Sequence, residues 1–318
     1  MAGSPRPVVF SKTLGSSDIQ TRAVFEPINQ WKSTGDSVTL EGVNVALYSS
    51  PDGFGPVARW VYRRDPVSFT TELTTLRTPT WPGGHLLLAA YDCDGVAGAA
   101  LQMRDAVLLV SGLPPAFAKE AVAALAPVRA DLPAVRGTPS SATAFSQAWT
   151  EVTGTTATTS FEETLYRLGE LVPPLGGVGE PRPARLEDGE LLVEWLDAFF
   201  VEAFDCASNP EASRAVLADI AATGGRVVLW TVDGAPVAMA RVHGCLLGMS
   251  RIGPVYTPPE HRGRGYGAAV TAEAVRLASQ MGARDVVLFA DVANPVSNRI
   301  YRRLGFVPAG AHVQYAFA

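Results

Sequence analysis

Apolar positions along this chain gather into strand-sized runs and helical stripes, and the pattern is most regular in the second half. Leu86–Tyr91, Val96–Met103 and Ala106–Ser111 read as three successive strands, the first two joined by the turn Asp92-Cys93-Asp94-Gly95. Ala116–Ala126 and Ser140–Val152 read as helices, the latter with Phe145, Ala148, Trp149 and Val152 at helical spacing. Leu165–Val172 reads as a closing strand. Upstream, Val38–Leu47 and Val57–Tyr62 read as short strands in an otherwise unpatterned stretch.

From Asp188 onward one stripe runs through Leu191, Leu192, Trp195, Leu196, Phe199, Phe200, Ala203 and Phe204, as on a helix packed along one side. Pro210–Ala222 reads as a second helix. Val227–Val232 and Pro236–Val242 flank Asp233-Gly234 as a hairpin. Ser250–Thr257 is a strand broken by Gly253-Pro254, and proline inside a strand predicts a bulge because it cannot donate to the ladder. Such a bulge would part this strand from Val286–Ala290. Helix 266–281 stops at Gly282, helix Val296–Leu304 stops at Gly305, and Val313, Tyr315 and Phe317 alternate in a further strand.

The segment HLLLAAYDCDGVAGAAL (85–101) is similar to RVVLWTVDGAPVAMARV (226–242), and in both places a strand and a helix follow. The Pro- and Gly-rich stretch VPPLGGVGEPRP (172–183) has the composition of a linker between the two copies. The expected organisation is an extension of unclear role over 1–62, a first domain over 63–172, a linker over 173–183 and a second domain over 184–318. The fold class is α/β.

Composition narrows the function classes. The 318 residues are 47% hydrophobic and 18% charged, enough for a sizeable core, and the net charge of −5 gives no footprint for nucleic acid. No apolar run approaches the length of a membrane helix, and the first residues lack the apolar core of a secretory signal. Three scattered cysteines fit a reducing cytoplasm, and four histidines with no i, i+4 pair argue against a metal site.

The strongest chemical signal is Arg262-Gly263-Arg264-Gly265-Tyr266-Gly267, which follows a strand and opens a helix. Unsatisfied N–H groups at a helix start attract anions, and glycines let a phosphate approach the backbone. A dinucleotide fingerprint is matched by Gly263, Gly265 and Ala268 with Asp285 downstream. However, five residues separate the strand from the first glycine, where that fold turns at once. A nucleoside triphosphate loop needs Gly-Lys-Ser/Thr, and no lysine follows Lys119.

The pattern Arg262-x-x-Gly265-x-Gly267 between strand and helix is similar to the acyl-CoA motif of the GNAT superfamily of N-acyltransferases. Downstream, Asn294-Pro-Val-Ser-Asn-Arg-Ile-Tyr301-Arg-Arg-Leu304-Gly305-Phe306 resembles that family's Asn-x₆-Tyr and Gly-Phe segment. The resemblance covers 184–318. It implies a twisted mixed sheet flanked by helices, present twice in tandem, with a degenerate first copy in which Gly112-Leu113-Pro114-Pro115 replaces the glycine run.

By resemblance, the backbone of Val255, Tyr256 and Thr257 would run beside the pantetheine arm of acetyl-CoA. Arg262 and the N–H groups of Gly263, Arg264, Gly265, Tyr266, Gly267 and Ala268 would hold its pyrophosphate. Asn294 would contact the arm, and Tyr301 would protonate the departing thiolate. The implied partners are acetyl-CoA and an amine acceptor, with neither nucleic acid nor membrane, and with monomer or dimer left open. Glu202, Asp205, Asp291 or water would take the amine proton, and no metal is needed. The rival class is an acyl-CoA sensor or interaction module with idle chemistry. For single residues the plain alternatives are core packing for Tyr301, turn capping for Asn294 and Asp291, a solvated helix end for Glu202 and Asp205, and a surface or core position for His243.

Overall fold

The computed structural model describes residues 8–10, 44–79, 81, 84–104, 106–174 and 177–318. In chain order the first elements are β1 (Val8–Phe10), β2 (Asn44–Leu47), α1 (Pro51–Tyr62), α2 (Thr70–Thr75), β3 (Leu86–Asp92), β4 (Gly95–Gln102), β5 (Leu108–Leu109), α3 (Ala118–Leu125), β6 (Ala134–Gly137) and α4 (Pro139–Thr153). There follow β7 (Ala157–Leu168), β8 (Glu180–Pro183), α5 (Gly189–Phe204), α6 (Pro210–Ala222), β9 (Arg226–Val232) and β10 (Ala235–Val242). The last are β11 (Met249–Tyr256), α7 (Tyr266–Gln280), β12 (Asp285–Asp291), α8 (Pro295–Arg303) and β13 (Phe306–Phe317). These elements form two compact units. Unit 1 takes the described residues of 1–65, 80–162 and 312–318, and unit 2 takes 66–79 and 163–311.

In unit 1 the strand order is β1-β2-β3-β4-β5-β6, followed by residues 313–316 of β13. Every pairing is antiparallel except β5 with β6. Leu88, Ala100, Leu108 and Val135 face α3 and α4, where Phe145 and Trp149 are fully buried. Strand side chains alternate, so Leu87, Ala89 and Leu101 point the other way, the side on which α1 buries Phe54, Ala58, Val61 and Tyr62.

Unit 2 repeats the scheme. Its order is residues 163–167 of β7, then β12, β11, β10, β9 and β8, with β11 and β12 the parallel pair. The β9–β10 hairpin turns at Asp233 (φ 51°) and Gly234 (φ 80°), the two positive angles a tight primed turn requires. Val228, Ala238, Leu288 and Phe306 pack on one face against Val270 and Ala274 of α7, while Leu229 and Met239 meet Leu192 and Trp195 of α5 on the other. The short α2 belongs to this unit: Arg251 on β11 reaches Thr74 Oγ1 at 2.9 Å.

The closing strands are exchanged. In unit 1 the strand beside β6 comes from β13, and in unit 2 the strand beside β12 comes from β7. The segment 173–183 therefore lies within unit 2, which reaches back to residue 163 and also takes 66–79.

Most expected elements are present, β1, α2, β6 and β8 add to them, and the following segments differ. Residues 57–62 are helical, the end of α1, started by Ser50 accepting from the Gly53 N–H and by Pro51 at the first helical position. Phe54, Ala58, Val61 and Tyr62 are its buried stripe, a helical spacing interrupted in the sequence by Gly53, Gly55 and Pro56. The closing strand is Ala157–Leu168, and β13 begins at Phe306. The segment read as strand 38–47 is described only from Asn44, and the expected extension over 1–62 falls largely outside the described residues. Among the described residues no helix is long and apolar enough to cross a membrane.

Candidate functional site

Between β10 and β11 the register slips: Ala240 faces Val255 while Val242 faces Ile252, so Gly253 and Pro254 together oppose Arg241. This is a β-bulge with Gly253 at φ 140°, a backbone angle reserved for glycine. On its other edge β11 pairs with β12 only at Met249, Ser250 and Arg251. Beyond Arg251 the two parallel strands part. The backbone of Val255, Tyr256 and Thr257 is thus laddered to β10 or continuous with it, and open toward β12.

The chain then passes Pro258 and a short 3-10 turn at Pro259–His261 before the glycine run. Gly263 and Gly265 have φ of 76° and 82°, and a Cβ at either would meet nothing within 4 Å. Gly265 is the N-cap of α7, and no side chain caps that helix. Its first-turn N–H groups have no partner within the helix and receive no side-chain cap, the arrangement of a helix-start anion site. Gly267 lies closer in, 3.4 Å from Thr257 Oγ1 as measured from an added Cβ. The Tyr266 side chain is buried in the core under α7, and Ala268 packs against the same cluster, so each offers the loop only backbone. Arg264 is exposed.

Arg262 is engaged within the protein. Its Nε donates to the Thr257 carbonyl at 2.9 Å and its Nη2 to Glu202 Oε2 at 2.6 Å. Glu202 Oε1 accepts from the Tyr256 hydroxyl at 3.1 Å. The tyrosine's own pKa is raised, chiefly by burial and then by that carboxylate. Arg262 therefore ties the end of α5 to the loop that enters α7.

At the end of β12, Asp291 Oδ1 accepts from the Ala293 N–H at 2.8 Å, and Asn294 Oδ1 caps α8 through the Ser297 N–H at 3.0 Å. Both carboxyl and amide thus perform turn duties, and the Asn294 Nδ2 is left over. About two turns on, Tyr301 is 8% exposed, with its ring edge-on to Tyr166 and Phe306 at 6.4 and 6.1 Å. Burial pushes its hydroxyl up to about 12, so it carries a proton throughout the neutral range. Asp205 sits in a left-handed conformation at the exposed end of α5.

Two residues not singled out from the sequence organise this corner. Asn298 is 7% exposed, and its Nδ2 donates to the carbonyls of Asp291 and Asn294 at 2.7 and 2.8 Å. Its Oδ1 accepts from the Tyr166 hydroxyl at 2.8 Å. An asparagine four residues after a capping asparagine was the available signal: helical spacing puts both over the same strand end. Tyr166 lies 132 residues earlier in the chain, so nothing local pointed to it.

His243 is also placed. It is 7% exposed, with Nε2 at 3.2 Å from the Gly253 carbonyl. Burial first, then Arg251 and Arg241, hold its imidazole well below the usual range, so it is neutral.

The equivalent junction in unit 1 is filled. A Cβ at Gly112 would collide with the Tyr62 ring and stand 3.0 Å from the Ala99 carbonyl, and one at Gly98 would be 2.6 Å from Pro114 Cδ. Where unit 2 has open glycines, unit 1 has packed ring and proline carbon.

Residues 190–306 match the family model described as Acetyltransferase (GNAT) family. A mycothiol acetyltransferase of Salinispora tropica is 40% identical over 72 residues, 21% of this chain and 24% of that protein. The chain thus matches about a quarter of the length of its curated relatives. Among solved structures, a tandem GNAT protein from the clavulanic acid biosynthesis pathway aligns with a TM-score of 0.56 at 15% identity, covering 87% of this chain and 98% of its own. A GCN5-related N-acetyltransferase from Sphaerobacter thermophilus aligns at 0.57 and 18%, covering 85% and 94%. At these identities the structural likeness speaks for the fold, and the family model speaks for the second half: unit 2 is a GNAT-superfamily domain, in a chain built as a tandem GNAT fold.

Proposed function

We propose that unit 2 transfers the acetyl group of acetyl-CoA directly to an amine, with unit 1 as a non-catalytic copy. The observation that carries this reading is the pair of open features along one strand: the parted β11–β12 edge and, at the end of β11, the uncapped glycine start of α7. Their order matches an elongated ligand with an amide-bearing arm and a pyrophosphate. The acetyl group, rather than a longer acyl chain, is taken from the name of the curated relatives. The acceptor is kept at the level of an amine. The free cysteines are consistent with work in a reducing cytoplasm.

Acetyl-CoA supplies an activated thioester. In this reading the N–H groups from Gly263 to Ala268 hold the pyrophosphate, and the open backbone of Val255, Tyr256 and Thr257 pairs with the arm. Asn294 Nδ2 is left to meet the arm from the β12 side. A strand N–H near Tyr256 would polarise the thioester carbonyl. The amine nitrogen attacks the carbonyl carbon, the C–S bond breaks, and the Tyr301 hydroxyl gives its proton to the sulfur. The amine's proton leaves to water or to one of Glu202, Asp205 and Asp291, of which Glu202 is already engaged by Tyr256 and Arg262. Arg262 acts on the loop through Thr257 and Glu202 rather than as a free phosphate ligand.

The test is release of CoA thiol from acetyl-CoA across a broad panel of amines, with binding followed in parallel by calorimetry. Amine-dependent thiol release is the expected result. Saturable binding with no release above hydrolysis for any amine would mean a sensor, and no binding at all would overturn the reading.

A further inference from the structure

Unit 2 contains a cavity that the proposed chemistry does not use. It has a volume of about 200 Å³ and lies among α2, the end of α6, and the strands β10 and β11. It shares no lining residue with the glycine run. Its charged lining is three arginines, Arg77, Arg241 and Arg251, against one carboxylate, Asp219.

Several arginines of this unit meet carboxylates, among them Arg182 with Asp188, Arg214 with Glu190, Arg262 with Glu202 and Arg276 with Glu273. Arg77 and Arg241 form no such pair. Arg241 Nε is buried with no hydrogen-bond partner, and Asp219 is not within ion-pair distance of it. Burial lowers its pKa to about 10, so the guanidinium stays charged at neutral pH. Arg251 is aimed by hydroxyls on α2, with Nη2 on Thr74 Oγ1 at 2.9 Å and Nη1 on Thr71 Oγ1 at 3.4 Å. His243, also in the lining, is neutral and adds no charge.

A largely desolvated guanidinium whose one nearby carboxylate, Asp219, makes no ion pair with it is unfavourable, and a planar fork of N–H donors matches the oxygens of a carboxylate or phosphate. A volume of about 200 Å³ has room for one such group. We propose that this cavity is a second anion site, which takes the carboxylate or phosphate group of a small ligand between Arg241 and Arg251, with Arg77 at its mouth. His243 joins the site to the bulge through the Gly253 carbonyl, so the occupant lies on the far side of one hydrogen bond from β11's parted edge.

The experiment is titration calorimetry of the full chain with inorganic phosphate and, separately, with succinate. Four proteins are compared: wild type, Arg241→Met, Arg77→Gln and Gly265→Val. One anion should bind wild type with millimolar or better affinity, and the tighter of the two identifies the ligand's group. Loss of one charge-assisted contact should weaken it roughly tenfold or more in Arg241→Met and measurably in Arg77→Gln. Gly265→Val, altered only at the glycine loop, should bind as wild type does. Arg77 is exposed, so its variant folds and decides the matter if Arg241→Met does not. Arg241→Met should itself melt no lower than wild type, because it removes a buried unpaired charge. Binding that survives both arginine variants, or that disappears in Gly265→Val, or the absence of saturable binding by either anion, overturns the proposal.

Discussion

The Tyr166 hydroxyl donates to Asn298 Oδ1 at 2.8 Å, joining β7 to α8, and thereby completes the bonding of a buried amide whose Nδ2 already holds two carbonyls. This orients the helix that carries Tyr301, whose ring stands edge-on to Tyr166. In Tyr166→Phe the amide oxygen is left buried without a donor. The cost should be about 1–3 kcal/mol, read from the denaturant midpoint. An unchanged midpoint would show that water replaces the tyrosine there.

Tyr301→Phe keeps the ring and its contacts, so fold and acetyl-CoA affinity should survive. Loss of a general acid ordinarily costs 10²–10⁴-fold, and a thiolate leaves fairly well, so the expected fall in kcat is roughly 30- to 300-fold. That is about 2–3.4 kcal/mol of barrier. The acceptor KM should barely move. Because the hydroxyl titrates near 12 rather than 10, the wild-type rate should show no loss from its ionisation below about pH 10. A wild-type rate in the variant, with chemistry limiting, makes Tyr301 a packing residue.

Gly265→Val places a branched side chain where the backbone has φ 82° and where an incoming phosphate would sit. Strain at such an angle costs roughly 1–3 kcal/mol, so the protein alone should melt lower. Wild type with acetyl-CoA at 100 times Kd should gain about 2.7 kcal/mol, and the variant should gain nothing. A preserved ligand-induced shift would remove the loop from the pyrophosphate site.

His243 sets the acid side of stability. Its folded pKa is depressed below 6.5 by burial and by Arg251 and Arg241, so its neutral form is the native one. The contribution is fully present above the unfolded value and is lost as pH falls from about 6.5 toward the folded value. Thermal midpoints should therefore decline below about pH 6.5, and His243→Asn should flatten that decline relative to wild type. Parallel curves for the two proteins would sink the assignment.

One acetyl-CoA per chain is expected by calorimetry. The unit 1 junction is filled by Tyr62 and Pro114, and prolines there remove the N–H donors an anion needs. A stoichiometry near two would contradict this.

The sequence showed the second half well because its signals are local. The Asp233-Gly234 hairpin, the stripe of α5, the glycine start of α7 and the Gly253-Pro254 interruption each act within a few residues of themselves. α1 was misread because Gly53, Gly55 and Pro56 hide a helical stripe that burial of Phe54, Ala58, Val61 and Tyr62 enforces. α2 was missed for a similar reason: a threonine-rich turn has little pattern of its own. At the site, the loop backbone was legible and the side-chain partners were less so. The anchoring of Arg262 to Glu202 spans 60 residues and the Tyr166–Asn298 bond spans 132, distances over which periodicity carries nothing.

The exchange of closing strands sets a timetable for synthesis. β6 is made early, yet the strand that pairs with it, residues 313–316, lies about 176 residues further along the chain. At usual translation speeds a nascent chain would carry that edge uncovered for roughly ten to thirty-five seconds. An uncovered edge is a template for pairing with another chain, so this interval favours mispairing between neighbouring nascent chains on one messenger. The remedy is built into β6 itself: it is four residues long, ends in Gly137, and carries Arg136, features that make a poor template while it waits.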